Sequence, residues 1–276
     1  MVLEQIYPIS WIERRKGYAF LMGVSYSVLG IFSGLLIFPN NPGLVSIAFT
    51  SLLLLPSLNR LLSLEENKEA REKVFSFKLF VEHWDIIKIY LFLFLGILLT
   101  YSFFTLVMPS MSTSMIFSQQ ARVIGQGMAQ TSVTASFAQI FFSNFWILLL
   151  VLVASFIYGA GSIFIITWNA SVWGVVFGLI ARNSAAVSHQ NPYFYFILTM
   201  IAVFPHMLAE ASSYFLAAVS GGVISKGVIR EKLMSKRFKR IIHDGLLIFG
   251  VAAIVLFVGA YIEVTATGSI ISFFGL

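Results

Sequence analysis

Apolar runs of about 20 residues recur along this chain, the length an α-helix needs to cross the hydrocarbon core of a bilayer. In lipid no water satisfies exposed backbone N–H and C=O groups, so such runs must close their hydrogen bonds internally as helices. The balance of residues agrees. Of 276 residues, 58% are hydrophobic and 11% are charged, against about a quarter charged in soluble domains. Mean hydropathy is +0.89. No Gly/Ser-rich or Pro-rich linker divides residues 1–276, so a single membrane domain is expected. The chain has no cysteine, which excludes disulfides, thiolate metal sites and cysteine nucleophiles. Glu4, Pro8, Arg14, Arg15 and Lys16 precede the first run without a small-residue cleavage site, so no removable signal peptide is expected.

The fold class is therefore all-α: a polytopic helical membrane protein of six to seven transmembrane segments with a broken, Pro-containing inner helix. The spans read as 18–38, 44–62, 86–108, 145–168, a short Gly-rich 171–181, a broken 193–223 and 242–264. Lys and Arg mark cytoplasmic stretches. Arg14 to Lys16 precede the first span, six basic residues from Arg60 to Lys88 flank the second and third, and seven from Lys226 to Arg240 lie between the last two. These clusters share one side only if 171–181 and 193–223 both cross or neither does. Crossing is the preferred reading, with the N-terminus cytoplasmic and the C-terminus outside a cell membrane; two re-entrant half-helices are the alternative.

Two basic-side stretches look amphipathic and suit helices lying in the headgroup plane. One carries Phe77, Phe80, Val81 and Trp84; the other carries Leu233, Met234, Phe238, Ile241 and Ile242. In the second, Arg230, Lys236, Arg237, Lys239 and Arg240 are candidates to bind anionic lipid headgroups, although a topogenic loop would carry the same charges. The Ser-, Thr-, Gln- and Met-rich segment 109–144 reads as an outer surface helix or cap. Small residues at helix-packing spacing let backbones approach closely. Gly174 and Gly178 are expected to zip against Ala209, Ser213, Ala217 and Gly221; Gly30 and Gly34 are candidates for a subunit contact.

Charged groups at membrane depth are costly and mark function. In the sixth run His206, Glu210 and Ser213 fall at i, i+4 and i+7, on one helix face, with Pro205 as a hinge. Broken helices with such groups form binding sites in transporters. Asn169 interrupts the run before 171–181, either capping that short helix or joining Glu210; its Asn-Ala-Ser sequon would carry no glycan at a cytoplasmic end. The functional polar core is thus Asn169, His206, Glu210 and Ser213. A structural pair of His206 and Glu210 is the competing reading. Two ligands make no metal site, and no metal or other cofactor is expected. The chain has no P-loop, no HExxH, no Gly-x-Ser-x-Gly and no paired acidic protease motif. The His and Glu resemble those of intramembrane CAAX-type proteases, but the paired glutamates are missing.

From 142 to 222 the chain resembles the stage II sporulation protein M (SpoIIM) family in its archaeal form. Ser143-Asn144, Gly159-Ala160-Gly161, Thr167 to Gly174, Pro205-His206, Glu210 and Ala217 to Gly222 carry the resemblance. Met207 stands where the family usually has Gly. The chain then divides into N-terminal spans (17–108), an extracytoplasmic segment (109–144), a SpoIIM-like core (145–224) and a basic helix with the last span (225–276). The resemblance implies a membrane scaffold, since the family's namesake holds peptidoglycan-remodelling enzymes during engulfment. The leading expectation is a non-enzymatic scaffold or assembly factor. A transporter or channel with Asn169, His206 and Glu210 at its site comes second, and an intramembrane hydrolase third. Expected partners are the lipid bilayer and its anionic headgroups, a second copy in a homodimer, and a membrane or envelope protein, with no nucleic acid.

Overall fold

The computed structural model describes residues 15–69, 78–122 and 136–267. Arg14, Phe77 and the stretch 123–135 of the expected outer cap lie outside the described residues. The helices are α1 (Tyr18–Ile37), α2 (Pro42–Glu69), α3 (Lys78–Val107), α4 (Ser110–Ile116), α5 (Phe137–Tyr158), α6 (Ile163–Ser188), α7 (Pro192–Arg230) and α8 (Lys236–Ile262). Among the described residues seven helices are long and apolar enough to span a membrane, and the protein is an all-α polytopic membrane protein. Alternation of the helices puts the Lys/Arg-rich ends of α1, α2, α3, α7 and α8 on one face. Lys16 and Asp85 join α1 to α3 there at 3.1 Å.

Helix α7 is the centre, packed against α8, α5, α6 and α3; α1 to α3 form a second group that meets it through α3 and α6. Aromatic contacts seal that seam. Phe215 stacks on Tyr90 with centroids 5.7 Å apart, and Phe94 meets both Phe215 and Trp173 edge-on. Without a hydrophobic drive between helices in lipid, small residues and interhelical hydrogen bonds hold the bundle. The Ser102 hydroxyl donates to the Gly174 carbonyl at 3.0 Å, and Ser220 donates to the Gly245 carbonyl at 2.7 Å. On the face opposite the basic ends, Arg182 of α6 donates to the carbonyls of Thr105 and Met108 and to the Thr113 and Ser110 hydroxyls, tying the end of α3 and the short α4 to α6.

Several expected boundaries move. The short fifth segment is the 26-residue α6, and Trp168 lies inside it. The chain turns earlier, at Gly159 (φ +48°), a backbone region that glycine adopts without strain. The fourth span begins at Phe137, not 145, behind a Ser136–Gln139 capping box. The sixth segment is one helix of 39 residues with Pro205 inside it, capped by Asn191 with Pro192 in its first turn. It is therefore neither broken nor re-entrant. A proline removes one N–H, whereas two open helix ends in lipid would strand several backbone groups. Both supposed in-plane helices are the ends of spans, since Lys78–Val107 and Lys236–Ile262 each run on without interruption.

The glycine pairs also find other neighbours than expected. A Cβ on Gly34 would lie 2.7 Å from the Pro42 carbonyl, and one on Gly30 would strike Thr50, so this face is used by α2 rather than offered to another subunit. Gly174 and Gly178 pack on Leu98, Tyr101 and Thr105 of α3, not on α7. Gly221 of α7 packs instead on Leu152 and Ser155 of α5.

Candidate functional site

Glu210 sits near the middle of α7, 8% exposed, where α5 and α8 converge. Gly259 permits the approach of α8: a Cβ there would come within 3.1 Å of Ala209 Cβ and 3.6 Å of the His206 carbonyl oxygen. The Glu210 side chain is held at both oxygens. The Tyr214 hydroxyl, one turn on, donates to Oε1 at 2.9 Å, and Asn144 Nδ2 of α5 donates to Oε2 at 3.2 Å. Tyr214 is 1% exposed. A second acid, Glu263, opens the π-helical turn Glu263–Thr267 at the end of α8 and lies near enough to act electrostatically on Glu210. A carboxyl group, an amide and a phenol from two helices thus share one place, with Glu263 of a third helix acting on it electrostatically. Such a cluster can lock helix register, since an unpaired carboxyl here would carry a large desolvation cost.

Of the sequence-predicted core, Glu210 is at the centre and His206 is buried one turn before it. Ser213 is buried, but its hydroxyl donates to the Glu210 backbone carbonyl at 2.7 Å rather than to a side chain. Asn169 is not a cap. It lies in the second turn of α6, and its amide donates to the Ile165 carbonyl at 2.8 Å, with no hydrogen bond to Glu210. Pro205 lies in the continuous helix, exposed. Arg230, Lys236, Arg237, Lys239 and Arg240 are all exposed on the basic face, where Arg237 pairs with Glu231 at 3.0 Å. Asn144, Tyr214 and Glu263 were missing from the predicted set. Tyr214 stands at i+4 from Glu210, the spacing that places it on the same helix face. Glu263 is an acid at the end of an otherwise apolar span.

No curated protein matches the chain, and no solved structure matches it. The sequence model of the family described as Stage II sporulation protein M matches residues 89–268. That match extends on both sides of the stretch 142–222, and takes in most of α3, all of α4 to α8, and each residue of the Glu210 cluster. It leaves α1 and α2 outside. Matching well over half of the chain, it places this polytopic membrane protein in the SpoIIM family.

Proposed function

We propose that the protein is a non-enzymatic membrane scaffold or assembly factor in which the Asn144–Glu210–Tyr214 cluster specifies how α5, α7 and α8 pack. One observation carries this reading: both Glu210 oxygens accept hydrogen bonds from the protein's own side chains. A carboxylate whose acceptor sites face inward to neighbours acts as a clasp, and buried polar groups are best attested as devices that fix register. The scaffold role of the family's namesake supports the same reading. The basic face would be cytoplasmic by the positive-inside rule. A homodimer and a membrane or envelope protein partner belong to the proposal, with the Gly30–Gly34 face no longer the contact.

The pair of acids, Glu210 with Glu263, favours one rival, a transporter or channel that binds a cation or proton between them. Native mass spectra of the wild type and Glu210→Gln, taken side by side, separate the two. A clean oligomer carrying lipid alone in both samples supports the scaffold. A small ligand bound to the wild type and lost from the variant, together with loss of flux in liposomes at unchanged stability, overturns it in favour of transport.

A further inference from the structure

A cavity of about 350 Å³ lies at the basic end of the bundle, between the end of α2, the start of α3, the end of α5 and the last third of α7. It is remote from Glu210 along α7 and independent of the function proposed above. We propose that it seats one acyl chain of an anionic phospholipid from the leaflet on the basic face, with the headgroup against the end of α7 and the start of α8.

The walls are mostly apolar, with Ile86, Ala218, Val219 and Val223 among them, while Asn59, His83 and Ser225 add polar groups. Gly222 borders the open space, since an added Cβ there would meet nothing within 4 Å. Its edge is formed by Ile157 and Ile229, which are 73% and 79% exposed, and two exposed isoleucines at the rim suit an opening that faces lipid. Its volume falls within the usual range of small-molecule pockets, about 300–1,000 Å³. An apolar slot open to lipid fills with hydrocarbon, and hydrocarbon alone would need no particular head. The charge supplies the selection. Over residues 226–244 the chain carries seven basic groups (Lys226, Arg230, Lys232, Lys236, Arg237, Lys239, Arg240) against Glu231 and Asp244. Arg230 follows the cavity-edge Ile229 directly. An anionic headgroup above the slot meets this excess at the interface, where each basic group attracts acidic lipid.

The test uses the full-length protein, delipidated in a non-ionic detergent and titrated with palmitoyl-oleoyl phosphatidylglycerol or with phosphatidylcholine of the same chains. Native mass spectrometry counts the bound lipid. One phosphatidylglycerol per chain is expected, held about tenfold more tightly than phosphatidylcholine. Gly222→Leu, which fills the open space, should weaken it by about tenfold or more with the melting temperature kept. Ile229→Trp, at an exposed edge position that disturbs no packing, should do the same, and Arg230→Gln should erode the headgroup preference. Equal affinity for the two lipids overturns the anionic assignment. Unchanged phosphatidylglycerol binding in Ile229→Trp and Gly222→Leu overturns the site.

Discussion

Tyr214→Phe removes a single hydroxyl and leaves the ring, so it isolates one bond of the Glu210 cluster. That hydroxyl donates to Glu210 Oε1 at 2.9 Å, between side chains 1% and 8% exposed. Hydrogen bonds to charged groups contribute about 1.5–3 kcal/mol and neutral ones about 0.5–1.5. Double-mutant cycles within membrane bundles reach about 1.7 kcal/mol at most. The phenol therefore should contribute about 1–2 kcal/mol, or roughly a 5- to 30-fold change in the unfolding equilibrium. The assay is reversible unfolding by SDS in mixed micelles of the wild type, Tyr214→Phe, Glu210→Leu and the double variant. Leucine offers no acceptor to either partner, so Glu210→Leu alone should cost about 1–3 kcal/mol, the range for a buried donor left unpaired. If the two side chains are bonded as described, the costs fall short of additive by about 0.5 kcal/mol or more. Strict additivity within about 0.3 kcal/mol, the behaviour of independent sites, would refute the clasp.

Three further outcomes follow from packing and from the proposed orientation. Gly178→Leu would bring its Cβ within 2.7 Å of Thr105 on α3; overpacking of this kind costs about 1–3 kcal/mol, read by the same SDS titration, whereas Gly222→Leu should cost little. Arg182→Gln should take the guanidinium donor from the Met108 and Thr105 carbonyls and loosen α4, giving faster amide exchange over residues 110–122 with little change at α8. The absence of native cysteine permits single-cysteine mapping: Met111→Cys, 86% exposed, should label from outside intact cells and Leu233→Cys, 70% exposed, only after permeabilisation. The reverse pattern would invert the proposed orientation.

What was legible in the sequence followed from free-energy terms local to the chain. Transfer of apolar side chains sets the number of spans, and a carboxyl in the middle of one stands out at once, so Glu210 and the seven helices were both in view. Hydropathy does not register where a helix bends back. The polar Trp168-Asn169 looked like an interruption, yet an asparagine inside a helix satisfies itself by bonding the carbonyl one turn earlier, as Asn169 does with Ile165. The true turn came at Gly159, an unremarkable residue in composition but one that can take φ +48°. Pro205 misled in the same way, because losing one N–H costs less than opening a helix in lipid.

The partners of Glu210 were hidden for a different reason. Asn144 lies just before the expected start of its span and so looked like connector, until the capping box at Ser136 drew the helix start outward and carried Asn144 into the bundle. Its pairing with Glu210 also depends on which helix lies beside α7, and a glycine stripe reports only that some neighbour comes close. Gly174 and Gly178 faced α3, leaving Gly221 to admit α5. Had α6 taken the glycine face of α7 instead, Asn144 could not have approached Glu210. The small-residue contacts and the polar cluster therefore act as one specification: the first selects the neighbour, and the second fixes its register. This predicts that Gly221→Leu, which leaves every member of the cluster in place, should weaken the Asn144–Glu210 coupling read from an SDS cycle of Asn144→Leu and Glu210→Leu.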